Sequence, residues 1–481
     1  MTIVTVEDID IDEAIGNIKQ LLKDDASLSP ALRMAVEVMI FLVAVLSKRL
    51  GLNSRNSSKP PASDFGANTE AERKKKRSAN KPARQAGGQP GHDGRCLDIV
   101  SNPDETIPLE IDRRTLPPGH QYRAAGIEVR QVFSIRIKRF VTEYQAEVLI
   151  DENSDRYVAS FPDQVSNKSQ YDYSVKAHAV YLSQFQLIPY ERIAKYFWEV
   201  VQLPLSQGSL YNFNKKAYEM LEQFDALAKQ RLIDASLIHA DETGINVGGK
   251  RIWLHNASND KWTYFYPHTI RGKVAMDEIG ILPNFTGVLC HDHWKPYFNY
   301  QQCQHALCNA HHLRELQRAY EQDGQHWAKN MKSLLSEMNE ATKQAAGALT
   351  RDEAKPFLKR YRSLLSRADK ECPQNTQRVD GKRGKIAQSK SRNLLERLLN
   401  YEAEVLRFMT NAGVPFTNNQ GENDIRMTKV QQKISGCFRS IDGAKIFCRI
   451  RGFLVTCRKH GISPAKALSD LFEGKLPNFA K

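Results

Sequence analysis

Asp241 in LIHADETGINV, Asp292 in GVLCHDHWKPYF and Glu422 in PFTNNQGENDIR are the residues of this chain whose types and placement could do chemistry together. Asp241 and Asp292 each follow a short apolar run with the character of a buried strand, so each is expected near a strand end. Glu422 opens a strongly basic segment with helical spacing. Carboxylates delivered from separate elements onto a pair of divalent cations are what two-metal phosphoryl transfer requires. Taken singly, either Asp reads as an ordinary polar strand end. Glu422 alone reads as an i,i+4 surface pair with Arg426, which would contribute only a few tenths of a kcal/mol. The combination gives them weight. Glu242 should point to the opposite strand face from Asp241, and Asp424 away from the face of Glu422, so neither is expected at the same cation.

These carboxylates need elements to position them. Residues 236–270 read as three strands, SLIHADETGINV, RIWLHNA and KWTYFYPH, joined by tight turns at GGK and SND. A short helical segment near 271–280 precedes a fourth strand, FTGVLCHD. If the first and fourth strands are neighbours, Asp241 and Asp292 meet although they are far apart in sequence. That order is the order of a ribonuclease-H-like α/β core. Residues 313–410 are helical and charged, with a break at RVDGKRGKIAQSKSR, and read as a helical insertion placed before Glu422. On the helix after Thr417 or Asn418, either of which can cap it, Arg426 and Lys429 share the face of Glu422. Farther on, Phe447, Ile450, Phe453, Leu454 and Cys457 recur as a core stripe. Arg439, Arg449, Arg451 and Arg458 are expected on or beside the exposed side as phosphate contacts.

The N-terminal half divides into four stretches. Residues 1–52 end in ALRMAVEVMIFLVAVLSKRLGL, an apolar helix expected to be buried against a partner, within the chain or in a dimer. Residues 53–95 are rich in Ser, Asn, Pro, Gly and Lys/Arg and read as a flexible basic linker. Residues 96–165 alternate in places and read as a small β-rich module. Residues 166–235 are helical. Two of their helices flank LPL, with Ser206 as N-cap, an arrangement compatible with a helix-turn-helix reader of DNA.

Composition narrows the partners. A formal charge of +14, from 69 Lys and Arg against 55 Asp and Glu, favours a polyanion such as nucleic acid. The 8 cysteines contain no C-x-x-C pair and often lie in apolar runs, which suits reduced core cysteines and a cytoplasmic protein. Cys303, His305, Cys308, His311 and His312, with His291 and His293 upstream, form a second cluster. Cys303, Cys308 and His311 could supply three zinc ligands. No clean second pair follows, so a reduced strand cysteine beside a helix-start histidine is favoured over structural zinc. The acidic N-terminus lacks the basic n-region of a signal peptide, and Val36 to Leu46 is too short to span a bilayer, so no membrane partner is expected.

Several motifs in order carry a family resemblance: NSRNSSKPPASD, GGQPGHDG, YDYSVKA, LPLSQGSLYNF, HADET, GVLCHD with Tyr297, the trio Cys308, His311 and Arg314, and TNNQGENDIR followed by TCRKHGISP. Together they resemble the insertion sequence 66 transposases of the TnpC type, in the DDE class. The resemblance implies a zipper-like N-terminal helix and a ribonuclease-H-like catalytic domain over 236–481, with its insertion at 313–410. It implies Asp241, Asp292 and Glu422 as the catalytic, metal-binding triad, with two Mg²⁺ or Mn²⁺ ions. It implies cleavage of DNA at element ends and strand transfer into target DNA by a homo-oligomer working with small co-encoded proteins in a bacterial cytoplasm. The family commonly carries a zinc module after GGQPGH. Here Cys96 is the only cysteine between residues 1 and 289, so that module departs from the pattern. Two other readings use the same residues: an inactive DNA-binding relative, and a structure-specific nuclease that cuts without joining.

Overall fold

The switch from helical to alternating periodicity after residue 235 builds a five-stranded sheet in the computed structural model, which describes residues 5–6, 9–24, 28–50, 52–57, 97–376 and 386–480. Its strands are β1 (Leu237–Val247), β2 (Lys250–Ser258), β3 (Thr263–His268), β4 (Val288–His291) and β5 (Gln304–Leu307), in the order β3-β2-β1-β4-β5. The β1–β2–β3 meander is antiparallel, and β4 and β5 run parallel to β1. The two-residue loop between β1 and β2 is Gly248–Gly249, both at positive φ (55° and 81°), a pair that lets the hairpin turn tightly with Val247 opposite Lys250. The sheet and the surrounding helices make a mixed α/β fold.

Alternation along β1 and β4 assigns residues to two cores. Ile238, Ala240 and Leu289 face one core, built with α3 (Tyr173–Val180), α4 (Tyr190–Tyr196), α5 (Gln207–Met220), α6 (Glu222–Ile233) and two helices from the C-terminal end. Val288, Cys290, Ala306 and Leu307 face the other, built with α8 (Asn309–Asp323), α9 (His326–Gln344), α10 (Arg351–Glu371), α11 (Lys390–Asn400) and α12 (Glu402–Thr410). Coverage on both faces explains why these strands read as short continuous apolar runs. Between β3 and β4 lies the short α7 (Lys273–Ile279). The helical segment expected at 313–410 is therefore, among the described residues, five helices with a core of their own on the β4–β5 side; residues 377–385, most of them in the Gly/Lys/Arg-rich break, lie outside the described residues.

The last helices are α13 (Asn419–Ser435), α14 (Ile441–Lys459) and α15 (Pro464–Phe472). Ile450, Phe453, Leu454 and Cys457 of α14 pack with α3–α6 as the spacing predicted, while Phe447 joins a smaller cluster at the β1–β2 hairpin. Helices α3–α6 thus share one core with the sheet and α14–α15, and do not stand apart as a separate unit at 166–235. Ser206 does cap α5, accepting from Ser209 N at 3.0 Å, and Tyr211, Lys215 and Lys216 lie on its exposed side.

Upstream, expectation and structure part. The segment 97–165 forms only one small hairpin, Val148–Ile150 with Arg156–Val158, and a short turn at Arg113–Thr115. Its alternating apolar residues stay exposed, Leu109 at 92% and Val132 at 93%, because no second layer covers them. The N-terminal helices are α1 (Ile11–Asp24) and α2 (Pro30–Leu50). α2 is not buried within the chain: Met34 is 68% and Phe41 66% exposed. Nor is it too short for a bilayer. Among the described residues it is the one helix long and apolar enough by length and composition to cross a membrane. Most of the basic linker lies outside the described residues. Its start is anchored, since Asn56 is buried and donates to Glu321 of α8 at 2.9 Å.

Gly287 sits where β1, β4 and β5 converge: Val288 N donates to Ser236 O at 2.8 Å, and Gln304 N donates to Gly287 O at 2.9 Å. A Cβ at 287 would lie 2.5 Å from Ser236 O and 2.7 Å from Ala235 O. Gly287→Ala is expected to destabilise the fold by about 1–3 kcal/mol through forced separation of the strands. The exposed helical Gly208 has room, its nearest atom being Ser206 Oγ at 3.7 Å, and Gly208→Ala is expected to stabilise by about 0.5–1 kcal/mol. Denaturant unfolding of the two variants checks both signs.

Candidate active site

Asp241 lies in the middle of β1, not at its end. The parallel pairing with β4 stops at His239–Cys290, while β1 runs on as a hairpin with β2 to Val247. The carboxylate therefore leaves the sheet where β1 loses its β4 neighbour. Asp292 directly follows β4, and its side chain accepts from Trp294 N at 2.8 Å, which fixes it in a tight turn. Asp241 accepts from Glu242 N at 2.9 Å.

Glu422 arrives on the first turn of α13. Asn418 at the N-cap position makes no side-chain cap bond to that helix. Its amide instead bonds two neighbouring residues of β1: Oδ1 lies 2.7 Å from His239 Nδ1, and Nδ2 donates to Ala240 O at 2.9 Å. Asn256 of β2 donates to Gly421 O at 3.0 Å. Gly421 permits this approach, for a Cβ there would meet Asn418 Oδ1 at 3.1 Å and His239 Cβ at 3.4 Å. The start of α13 is thus clamped to β1 beside Asp241. Nothing in the local sequence marks this clamp, since Asn418 has only the pattern of a possible cap.

These carboxylates act on one another electrostatically. The carboxyl of Asp241 is pushed well above its usual range by burial first, then by the charges of Glu242 and Asp292, and further by Glu422. A buried acid pressed by carboxylates from three elements is a site deficient in positive charge, the setting in which divalent cations are held. Asp241, Asp292 and Glu422 could supply oxygen ligands there.

Glu242 serves a different end. Its side chain is 2% exposed, accepts from Arg271 at 2.6 Å and 3.0 Å, and accepts from Tyr297 Oη at 2.5 Å. Burial and Glu242 keep the Tyr297 phenol protonated as the donor. Asp424 is likewise turned away, paired with Lys459 Nζ at 2.8 Å.

The Cys/His cluster separates. Cys303 donates to Tyr300 O, and His305 Nδ1 lies 3.0 Å from His291 Nε2. Burial lowers His291 to about 3, so it stays neutral. His293 packs on Tyr401, and His312 is buried beside Asn309. Cys303 is therefore no partner of Cys308 and His311. Those two meet Glu422 instead: its Oε1 lies 3.8 Å from Cys308 Sγ, 3.7 Å from His311 Nδ1 and 4.0 Å from Arg314. The C-x-x-H spacing at a strand-to-helix junction was the available signal. Burial pushes the Cys308 thiol up to about 11.

Of the arginines expected on the outside, two are inside. Arg451 is 3% exposed and donates to Gln184 O and Phe185 O, and Arg449 pairs with Asp225 at 3.2 Å over the Tyr218 ring. The reason is that α14 is buried over most of its circumference, so its cations need protein partners. Arg426, Arg439 and Arg458 are exposed, and the exposed Lys429 donates to Gly244 O at 2.7 Å.

Two consequences can be measured. With its folded value above the unfolded value near 3.8, Asp241 binds more protons folded than unfolded across that interval, so its contribution to stability falls as pH rises through it. Without divalent cations, Asp241→Asn should melt a few degrees higher than the natural chain at neutral pH, on the order of 2–4 °C per kcal/mol. Calorimetry in chelator should show the difference shrinking toward pH 4. Asn418→Ala, by contrast, strands a carbonyl and an imidazole and should cost about 1–3 kcal/mol per group left unpaired, read by urea unfolding.

Comparison with known proteins gives two matches. A model of the IS66 transposase family covers residues 168–446, and one of a family of unknown function (DUF6444) covers residues 4–97. No curated protein matches the chain. The first match spans more than half of the 481 residues, from α3 through the clamp and the first turn of α14, and the chain belongs to the IS66 family of transposases.

Proposed function

We propose that this protein is a DDE transposase that cleaves DNA at the ends of an insertion sequence and joins them to target DNA, with Asp241, Asp292 and Glu422 as the catalytic carboxylates. The observation that carries this reading is the placement of the three residues: Asp241 on β1, Asp292 directly after the adjacent β4, and Glu422 on the helix start that the Asn418 clamp ties to β1. The strand order β3-β2-β1-β4-β5 supports a ribonuclease-H-like core, and the family match supports DNA as substrate.

In this reading the three side chains hold Mg²⁺ or Mn²⁺. Such ions, when bound, would activate the attacking hydroxyl and stabilise the leaving 3′-oxygen. The protein's own part is positioning. β1 and β4 fix the two aspartates, and the Asn418 clamp fixes Glu422. Arg271 and Tyr297 occupy the oxygens of Glu242, which adds negative charge beside Asp241 without offering them freely to a cation. The exposed Arg426, Arg439 and Arg458 offer phosphate contacts along α13, α14 and the loop between them, Lys429 is exposed but already donates to Gly244 O, and Arg449 and Arg451 are taken by protein partners. The apolar faces of α2 suit pairing with a second copy, and the working location is the bacterial cytoplasm. Residues 166–481 act as the catalytic unit in this scheme.

Asp292→Asn and Glu422→Gln should lower metal-dependent nicking of end-containing DNA to background, a loss on the order of 10³-fold or more. Retention of the same DNA in a gel-shift assay should change little, because binding rests on many phosphate contacts. Nicking and strand transfer at the natural rate in either variant would refute the assignment.

A further inference from the structure

We propose that Cys308, His311 and Glu422 form a binding site for a soft divalent cation of the zinc type, beside the aspartate pair and sharing Glu422 with it. Cys308 Sγ, a ring nitrogen of His311 and a Glu422 oxygen all lie within 4.8 Å of one another. Around a tetrahedral zinc ion, bonds of about 2.3 Å to sulfur and about 2.0–2.1 Å to nitrogen or oxygen set the ligand atoms roughly 3.3–3.6 Å apart. The observed 3.8 Å and 3.7 Å to Glu422 are longer by a few tenths of an ångström.

Independent features point to a ligand. His311 Nδ1 is shielded from solvent and makes no hydrogen bond, on a side chain that is 26% exposed, and it faces Glu422 Oε1 at 3.7 Å as an ion pair. The backbone N–H of Asn418 donates to Cys308 Sγ at 3.1 Å. That outer contact orients the sulfur and favours its anionic form, as second-shell donors do around metal-bound cysteine. Cys308 also stands at the N-cap position of α8, where the helix terminus favours negative charge. A sulfur–nitrogen–oxygen donor set prefers zinc-like ions over magnesium or manganese. Three protein ligands leave a fourth position open.

Occupancy has a consequence that rests on the proposed function. Glu422 cannot serve this cation fully and also close the carboxylate set with Asp241 and Asp292. Zinc is therefore an inhibitor of magnesium-dependent cleavage, acting through Cys308 and His311.

The test is a cobalt(II) titration of the full chain. One equivalent should bind with a thiolate-to-cobalt charge-transfer band, and zinc should bleach it. The band should vanish in Cys308→Ser and persist in Cys437→Ser, which removes the half-exposed thiol. Because serine at buried position 308 could disturb folding, His311→Gln is the second variant, expected to weaken cobalt binding about tenfold or more. No band in the natural chain, a band that survives Cys308→Ser, or unchanged affinity in His311→Gln overturns the site. A nicking assay in magnesium separates the two ideas. Added zinc should suppress cleavage in the natural chain, and a zinc-selective chelator should restore it. A chain that shows the band but never nicks end-containing DNA contradicts the proposed function and leaves the site standing. A chain that nicks DNA but shows no band contradicts the site alone.

Discussion

One amide holds the candidate active site together. Asn418 bonds His239 and Ala240 on the first strand through its side chain, and its backbone N–H reaches the sulfur of Cys308. Three separate stretches of chain meet at this residue: the sheet, the strand-to-helix junction that opens the insertion, and the helix that returns after it. The position of Glu422 follows, one helical turn on. Buried amides that satisfy partners on several elements specify geometry more strongly than apolar packing does, because an alternative arrangement leaves polar groups bare.

Around that clamp the sheet is a partition between two cores. Alternate residues of β1 and β4 point to helices contributed by the N-terminal side and the C-terminal end on one face, and to the insertion on the other. The five inserted helices therefore do more than lengthen the chain between Asp292 and Glu422. Their core is continuous with Val288 and Cys290, the residues that lead into Asp292, so their packing fixes where β4 ends.

What could be read from the sequence was local. Strand periodicity, the Gly248–Gly249 turn, the Ser206 cap and the apolar stripe of α14 are short-range patterns, and all are present in the fold. The neighbourhood of the strands that carry the two aspartates comes instead from the order of strands and helix, which matches a known type of core. The rest depends on contacts between residues distant in sequence. Nothing local reveals that Arg451 will bond carbonyls of 184 and 185, that Glu242 will be fastened by Arg271 and Tyr297, or that Asn418 will leave its own helix uncapped to bind a strand. The alternating pattern at 105–165 misleads in the opposite direction. Period-two apolar residues describe a surface that a sheet could cover, and without a covering layer they yield one three-residue hairpin.

The sheet has two outer strands, and both are screened. α14 packs against β3. At the other margin Arg407 of α12 donates to His305 O at 2.8 Å and reaches Gln304 Oε1 at 2.7 Å. An open strand margin is a template for pairing with other chains. The guanidinium of Arg407 occupies a carbonyl that such a template would offer. The insertion thus leaves less of that strand margin open. A shortened descendant of this gene that lost it would meet its first difficulty in solubility, before any question of catalysis arose.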